Sequence, residues 1–261
     1  MKYEKITQAR LINRDNRFVA RVALEDENSL PYTSLDEVGV HVKNTGRCKE
    51  LMVPGCRVYL EDFQGRMGTR KMRYSLVAVE KELENRDKLL INMDSQAPNK
   101  VVYEALKDGK FRLPGLEGKL SLIKPEKTYG KSRFDFYVEC ENEDNSKKDI
   151  QKAFIEVKGV TLEFNGFARF PDAPTERGLK HVKEMMEVVQ AGYKGYIVFV
   201  VQMKGMYGFG PNYETHPEFG EALAEARRAG VHVLAYDCIV RPDELVLDQP
   251  VKIELKGETN F

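Results

Sequence analysis

The chain has no apolar run long enough to cross a membrane. Its longest, Gly195-Tyr-Ile-Val-Phe-Val-Val, falls well short of the roughly 20 residues a span needs and reads as a buried strand. Cysteine is scarce: Cys48, Cys56, Cys140 and Cys238 form no C-x-x-C pair, which argues against a zinc site. The start, Met1-Lys-Tyr-Glu-Lys-Ile, is unlike a secretory signal. These are therefore expected to be reduced thiols of a cytoplasmic protein with no membrane partner, nucleoid association being left open. Net charge is also lacking, at +0, so bulk electrostatics neither favour nor exclude nucleic acid. Internal repeats and low-complexity stretches are absent, which excludes solenoids and disordered tracts.

What is present is ordinary globular material: 261 residues, 42% hydrophobic and 31% charged, enough for one large or two small domains. The charge is unevenly placed. Residues 1–83 carry 15 basic and 12 acidic side chains, and residues 84–261 carry 26 and 29. That asymmetry suits a basic binding module (1–83) joined to an acidic one (84–261).

The first part reads as all-β, with strands near 5–13, 18–24, 38–43, 57–63 and 75–82 separated by turn-prone or charged segments. Five short strands in about eighty residues predict an OB-like barrel, in which the first and fourth inter-strand loops often bind oligonucleotides. Both loops are basic. One holds Arg14 and Arg17; the other holds Arg66, Arg70, Lys71 and Arg73, followed by Tyr74, a ring able to stack on a base. The competing reading is a pair of solvated turns.

The second part alternates. A helix is expected near 97–107 with Val101, Val102, Ala105 and Leu106 inward, then strands at 119–124, 132–140 and 153–163. The polar loop 141–151 is expected to be mobile. A helix over about 174–191 follows, with Leu179, Val182, Met186 and Val189 inward, Pro174 in its first turn and Gly192 at its end. Strand 195–203, a glycine-rich loop 205–213, helix 216–229 and strand 231–240 complete the order, with Thr215 and Glu218 as a capping box. The class is α/β (α+β overall), a β-barrel followed by a layered domain with a mixed central sheet. The glycine-rich loop lacks the lysine and spacing of a P-loop and reads as a flexible rim, its aromatics free to touch DNA.

Two strands carry acidic residues inside apolar runs: Asp135 in Ser132-Arg-Phe-Asp-Phe-Tyr-Val138, and Glu156 in Ala153-Phe-Ile-Glu-Val-Lys158. A buried carboxylate is costly unless it is paired or coordinates a metal. Lys158, two residues past Glu156, shares its strand face. The acidic-x-Lys pattern occurs four times here, so alone it says little; this copy is singled out because it follows a strand with its own buried Asp. The plain alternative is a salt-bridged strand pair at a sheet rim.

These residues resemble something known. Glu104 on a first helix, Asp135 and Glu156-Val-Lys158 in an α-β-β-β-α-β order resemble the PD-(D/E)XK nuclease superfamily. The whole chain resembles the sugar fermentation stimulation protein A family. That resemblance rests on Asn44-Thr-Gly-Arg47 with Pro54-Gly55, Tyr129-Gly-Lys-Ser-Arg-Phe-Asp-Phe136, Ile155-Glu-Val-Lys-Gly-Val-Thr-Leu162, Phe170-Pro-Asp-Ala-Pro-Thr-Glu-Arg-Gly178, Lys180-His181 and Val231-His-Val-Leu-Ala-Tyr236. One departure is Lys43, where the family usually has proline.

The resemblance implies an N-terminal OB-like domain, a nuclease-like second domain, DNA binding and a link to sugar, notably maltose, metabolism. By motif position, Asp135, Glu156 and the Val157 carbonyl are the expected ligands of Mg²⁺ or Mn²⁺, Lys158 acts on the attacking water, and Glu104 either steadies the metal or the lysine or is an ordinary exposed helix residue. Arg177, Lys180 and His181, with Glu176 and Asp172 nearby, crowd a helix start and are expected at phosphates; His181 reads equally as a surface histidine, and Asp172 as a helix cap. Arg133 is read as structural or backbone-contacting. The leading expectation is a DNA-binding protein with a Mg²⁺-dependent deoxyribonuclease-type site and little sequence specificity. Its rivals are a non-catalytic DNA-binding regulator and a sugar or nucleotide sensor. The sequence leaves self-association into a homo-oligomer open.

Overall fold

The computed structural model describes residues 1–25, 37–44, 46–84, 87–141 and 150–257. The chain divides into two compact units: Met1–Ala97 with Gln202–Gly205 and Cys238–Val246, and the remainder.

In the first unit, β1 (Ile6–Arg14), β2 (Val19–Leu24), β3 (Glu37–Val42), β4 (Arg57–Asp62) and β5 (Tyr74–Glu82) pair in the order β3-β2-β1-β4-β5. A parallel β3–β5 pairing (His41 with Ser75, Val42 with Leu76) closes the barrel. Alternate residues fill it: Ala9 and Leu11, Ala20 and Val22, Val40 and Val42 are all at most 1% exposed. The five predicted strands are present, and the architecture is the expected OB-like barrel. A sixth strand, β6 (Lys88–Asn92), is not among the predicted ones. It pairs antiparallel with β5 from Ala78–Asn92 to Glu82–Lys88, beyond the predicted division at 83. Its apolar stretch is only Leu89-Leu-Ile91, too short to show a period. The first six residues of β5 are buried, and Tyr3, Tyr59, Val77 and Ala78 form a small apolar cluster against which Met1, Ile6 and Leu90 pack.

The second unit begins with α1 (Ala97–Lys107), whose Val101, Val102, Ala105 and Leu106 are buried as predicted. Then follow β7 (Lys119–Tyr129), β8 (Ser132–Glu141), β9 (Ile150–Val160), β10 (Leu162–Phe164), β11 (Phe167–Phe170), α2 (Glu176–Gln190), β12 (Lys194–Val201), β13 (Gly208–Pro211), α3 (Pro217–Arg228), β14 (His232–Arg241) and β15 (Glu244–Pro250). The central sheet has the order β15-β14-β12-β9-β8-β7. It is mixed: β7–β8 and β8–β9 are antiparallel, β9–β12 and β12–β14 parallel. β12 lies between two parallel neighbours, which is why its sequence is a continuous apolar run rather than an alternating one. Residues 142–149, most of the loop expected to be mobile, lie outside the described residues. No helix among the described residues is long and apolar enough to cross a membrane.

Several local expectations need correction. α2 starts at Glu176 rather than 174, and its N-cap is Thr175, whose Oγ1 accepts from Gly178 N at 3.0 Å; Asp172 is not the cap. The buried face is Gly178, His181, Val182, Met185 and Val188, rotated from the predicted Leu179, Met186 and Val189. Gly195 explains the seating. A Cβ there would stand 2.8 Å from Val189 Cγ2 and 3.0 Å from Met185 Sδ, so the helix lies directly against that strand. The Thr215–Glu218 capping box does not form: Thr215 Oγ1 accepts from Asn212 instead, and His216 is the N-cap of α3. The glycine-rich loop is not a flexible rim. It contains β13, which pairs in parallel with β11 in a small three-stranded sheet, and Phe209 is fully buried. Tyr207 alone of its large side chains is widely exposed, at 67%.

Because Thr175 caps the helix that carries His181, Thr175→Ala is expected to cost about 1 kcal/mol. Denaturant unfolding of the two proteins side by side measures it.

Candidate active site

Asp135 on β8 and Glu156 on β9 face each other where the β8–β9 ladder stops. The last paired residues are Phe136 and Ile155. Beyond them the Val157 N–H no longer meets a backbone acceptor on β8. It donates to Asp135 Oδ2 at 2.7 Å, while Asn99 Nδ2 of α1 donates to Oδ1 at 2.7 Å. The aspartate thus substitutes for a ladder bond and ties the helix to the sheet.

Glu156 is 4% exposed. Its Oε1 accepts from Lys158 Nζ at 2.5 Å and from His181 Nδ1. Its Oε2 is buried with no hydrogen-bond partner among the described residues. Burial, then the Glu156 charge, push the Asp135 carboxyl above the usual carboxylate range, against the opposing bonds from Val157 and Asn99 and the Lys158 charge. Burial alone would raise Glu156 as well, but His181 and Lys158 outweigh it and hold that carboxyl below its usual range. The pair is therefore one ionised, cation-held carboxylate beside a second whose charge is disfavoured.

Glu104 is on the same helix as Asn99. It is exposed on α1, and the α1 side chain that reaches Asp135 is Asn99. Among the described residues no three His, Cys, Asp or Glu side chains converge closely enough to enclose a metal. His181 is not a surface residue: it is 5% exposed and bonded to Glu156. Nothing in the sequence signals the Asn99 or His181 bonds, since both cross between elements far apart in the chain.

A cleft of about 380 Å³ opens beside His181, lined by Lys131, Ser132, Arg133, Glu176, Arg177 and Lys180. Arg133, read as structural or backbone-contacting, lines this cleft, and its guanidinium stands 3.5 Å from Glu126. Ser132 Oγ donates to Glu184, which also lies 3.7 Å from Lys180. Asp172 is half-buried ahead of Thr175 and does not line the cleft.

The barrel residues expected at DNA are largely engaged within the barrel. Arg14 donates to the carbonyls of Asn16, Arg17, Asn44 and Arg47, clamping two loops. Arg66 stands near Glu4 and Glu61, and Arg70 lies over the Phe63 ring at 3.6 Å. Arg73 binds Asp62 through two 2.7 Å bonds. Tyr74 is 8% exposed and has no open face for a base, because it occupies the first position of a buried strand. Lys71 and Arg17 remain exposed.

Known proteins share this architecture. Residues 96–244 match the sugar fermentation stimulation protein RE domain, and residues 12–91 match the SfsA N-terminal OB domain. The chain is 46% identical over 257 residues to a sugar fermentation stimulation protein homolog of Alkaliphilus oremlandii, covering 98% of this chain and 100% of that one. It is 45% identical over 257 residues to the homolog of Desulfitobacterium hafniense strain Y51, covering 98% and 99%. The solved structure of Pyrococcus furiosus SfsA in complex with Ca²⁺ aligns with a TM-score of 0.77 at 27% identity, covering 98% of each chain. With both domains matched in order and identity well above 30% along the full length, the chain belongs to the sugar fermentation stimulation protein family.

Proposed function

We propose that this protein binds DNA and carries, at the divergence of β8 and β9, a divalent-metal phosphodiesterase site of nuclease type. The observation that carries this reading is the buried Oε2 of Glu156, which has no hydrogen-bond partner among the described residues although the side chain sits beside a second carboxylate and a lysine. A buried anionic oxygen left unpaired is costly, and a cation is the partner that this pair of carboxylates fits. Mg²⁺ is commonly held by only one or two carboxylates, with water and substrate phosphate oxygens completing the shell. Asp135 and Glu156 meet that requirement without a third acidic ligand. The Ca²⁺ of the Pyrococcus relative is also a hard, oxygen-seeking cation.

Asp135 and Glu156 would hold Mg²⁺ or Mn²⁺, which when bound supplies Lewis-acid polarisation of a phosphoryl oxygen and a more acidic water. Lys158 supplies a fixed ammonium beside the carboxylates, able to orient a water and to stabilise charge developing on phosphate. His181 and Lys158 together keep Glu156 ionised, and Asn99 with the Val157 N–H fixes the Asp135 rotamer. DNA is the partner this chemistry serves, met at exposed cations such as Arg17, Lys71, Arg177 and Lys180. The relatives' names, sugar fermentation stimulation protein homologs, support a link to sugar use.

A second reading, a DNA-binding regulator that does not cleave, is favoured by one observation: both Asp135 oxygens already accept hydrogen bonds from the protein.

Thermal unfolding with and without Mn²⁺ tests the metal site. Binding is expected to raise the melting temperature, equivalent to about 2.7 kcal/mol at a hundredfold excess over Kd. Asp135→Asn is expected to remove most of the shift. No shift in the wild type at millimolar Mn²⁺ and Mg²⁺ would overturn the site.

A further inference from the structure

We infer that the cleft beside His181 is a phosphate subsite, separate from the carboxylate pair and adjacent to it, which holds a phosphate group of a nucleic-acid strand. This rests on the nucleic-acid reading above, but not on its metal.

The cleft is built from two directions. Lys131 and Arg133 come from the turn between β7 and β8 and the first residues of β8, and Arg177 and Lys180 come from the opening turns of α2. The latter two are three apart and share a helix face. Four cationic side chains thus line the same space, against one carboxylate, Glu176.

Their state of engagement separates this cluster from the basic barrel loop. Lys131 and Arg177 are exposed and have no partner among the described residues. Arg133 meets only Glu126, and both side chains are more than 60% exposed (61% and 68%), so water and salt readily replace that pair. Lys180 is 53% exposed and 3.7 Å from Glu184. By contrast, Arg66, Arg70 and Arg73 of the barrel are held by Glu61, Ser75, Phe63 and Asp62. Cations left unpaired around a concavity mark a place where an anion is received.

The chemistry selects phosphate. Two guanidinium forks and two ammonium groups around a space of about 380 Å³ offer more donors than one carboxylate accepts, and match a tetrahedral oxyanion. The volume also leaves room for the attached sugar. Location supplies the link to the site. His181 lines the cleft while its Nδ1 is bonded to Glu156 Oε1, so a single imidazole ring separates the two. A strand with one phosphate at the carboxylates presents a neighbouring phosphate to the cleft. That phosphate is either an internal diester or a terminal monoester.

The test is the Lys131→Ala/Arg177→Ala double variant in chelator-containing, metal-free buffer. Both residues are exposed, and matching circular dichroism and melting curves establish that the variant is folded. The probe is one short fluorescent single-stranded oligonucleotide in three forms: with a 5′-phosphate, with a 3′-phosphate, and with neither. Inorganic phosphate is expected to displace the probe from the wild type. The variant is expected to bind roughly tenfold or more weakly. Its plot of log affinity against log salt is expected to flatten by about 0.7 for each phosphate no longer neutralised. If one phosphorylated end binds more tightly to the wild type and the variant loses that preference, the occupant is a terminal phosphate. If all three forms weaken equally, it is an internal one. Unchanged affinity and salt slope in the folded variant would overturn the subsite. The metal reading is tested by the Mn²⁺ shift, so either result can fail alone.

Discussion

Lys158→Ala is expected to leave Mn²⁺ affinity nearly intact while lowering phosphodiester cleavage by roughly 10²-fold or more, the range for loss of a positioned acid–base group. Asp135→Ala is expected to do the reverse at the binding step, weakening Mn²⁺ by roughly tenfold or more because it deletes one of two carboxylate ligands. The asymmetry follows from the geometry. Lys158 touches Glu156 only through Oε1, the oxygen that His181 also holds, so removing the lysine still leaves Glu156 one partner and leaves Oε2 available. Removing Asp135 also strands the Val157 N–H and Asn99, and Asp135→Asn keeps an acceptor for only one of the two, so matching circular dichroism and melting curves of each variant serve as the structural control. Calorimetric Mn²⁺ titration and a nuclease assay on the same preparations separate the roles. Equal metal loss in Lys158→Ala and Asp135→Ala would end the assignment of Lys158 to chemistry.

Lys43→Met is expected to destabilise the barrel by about 3–5 kcal/mol, the cost of breaking a buried ion pair from one side. Lys43 Nζ stands 2.9 Å from Asp94 Oδ2 and 3.8 Å from Glu61. Asp94 is 1% exposed, and Gln202 and Asn92 close the same network, through bonds from Gln202 Nε2 to the carbonyls of Asn92 and Asp94. Without the lysine the buried Asp94 charge loses its ion-pair partner, while Glu61 keeps Arg66 at 3.6 Å. Adding Asp94→Asn removes that buried charge, so the double variant is expected to recover much of the loss, a coupling that a double-mutant cycle in urea measures. A single-variant cost below about 1 kcal/mol would show that the pair is not the device holding this end of the barrel. Lys43, which the sequence marks only as a departure where the family usually has proline, thereby becomes the centre of a buried network.

The contrast between Lys158 and Lys43 shows where sequence reading reaches. Lys158 is legible because its partner is two residues away on one strand, and a period of two is a local property. The partners of Lys43, Glu61 and Asp94, lie on distant segments, and no local pattern announces them. The expectations for Tyr74 and Phe209 fail for a related reason. An aromatic residue in a basic or glycine-rich stretch looks available, but each lies at or in a strand whose pairing buries it. β6 is not legible because three apolar residues carry no period.

The chain's own residues determine the order of elements, the division into a β unit and a mixed unit, the buried parallel strand at Gly195–Val201 and the placement of Asp135, Glu156 and Lys158 on neighbouring strands. These follow from periodicity, turn chemistry and apolar run length, all read within a few residues. Only the tertiary structure decided which charges are engaged and which are open. Arg14, Arg66, Arg70 and Arg73 are engaged within the barrel unit, His181 turns inward to Glu156, and Lys131 and Arg177 stand at a cleft with no partner among the described residues. The physical reason is that an ion pair depends on distance and burial between segments remote in sequence, and neither quantity exists until the chain has folded.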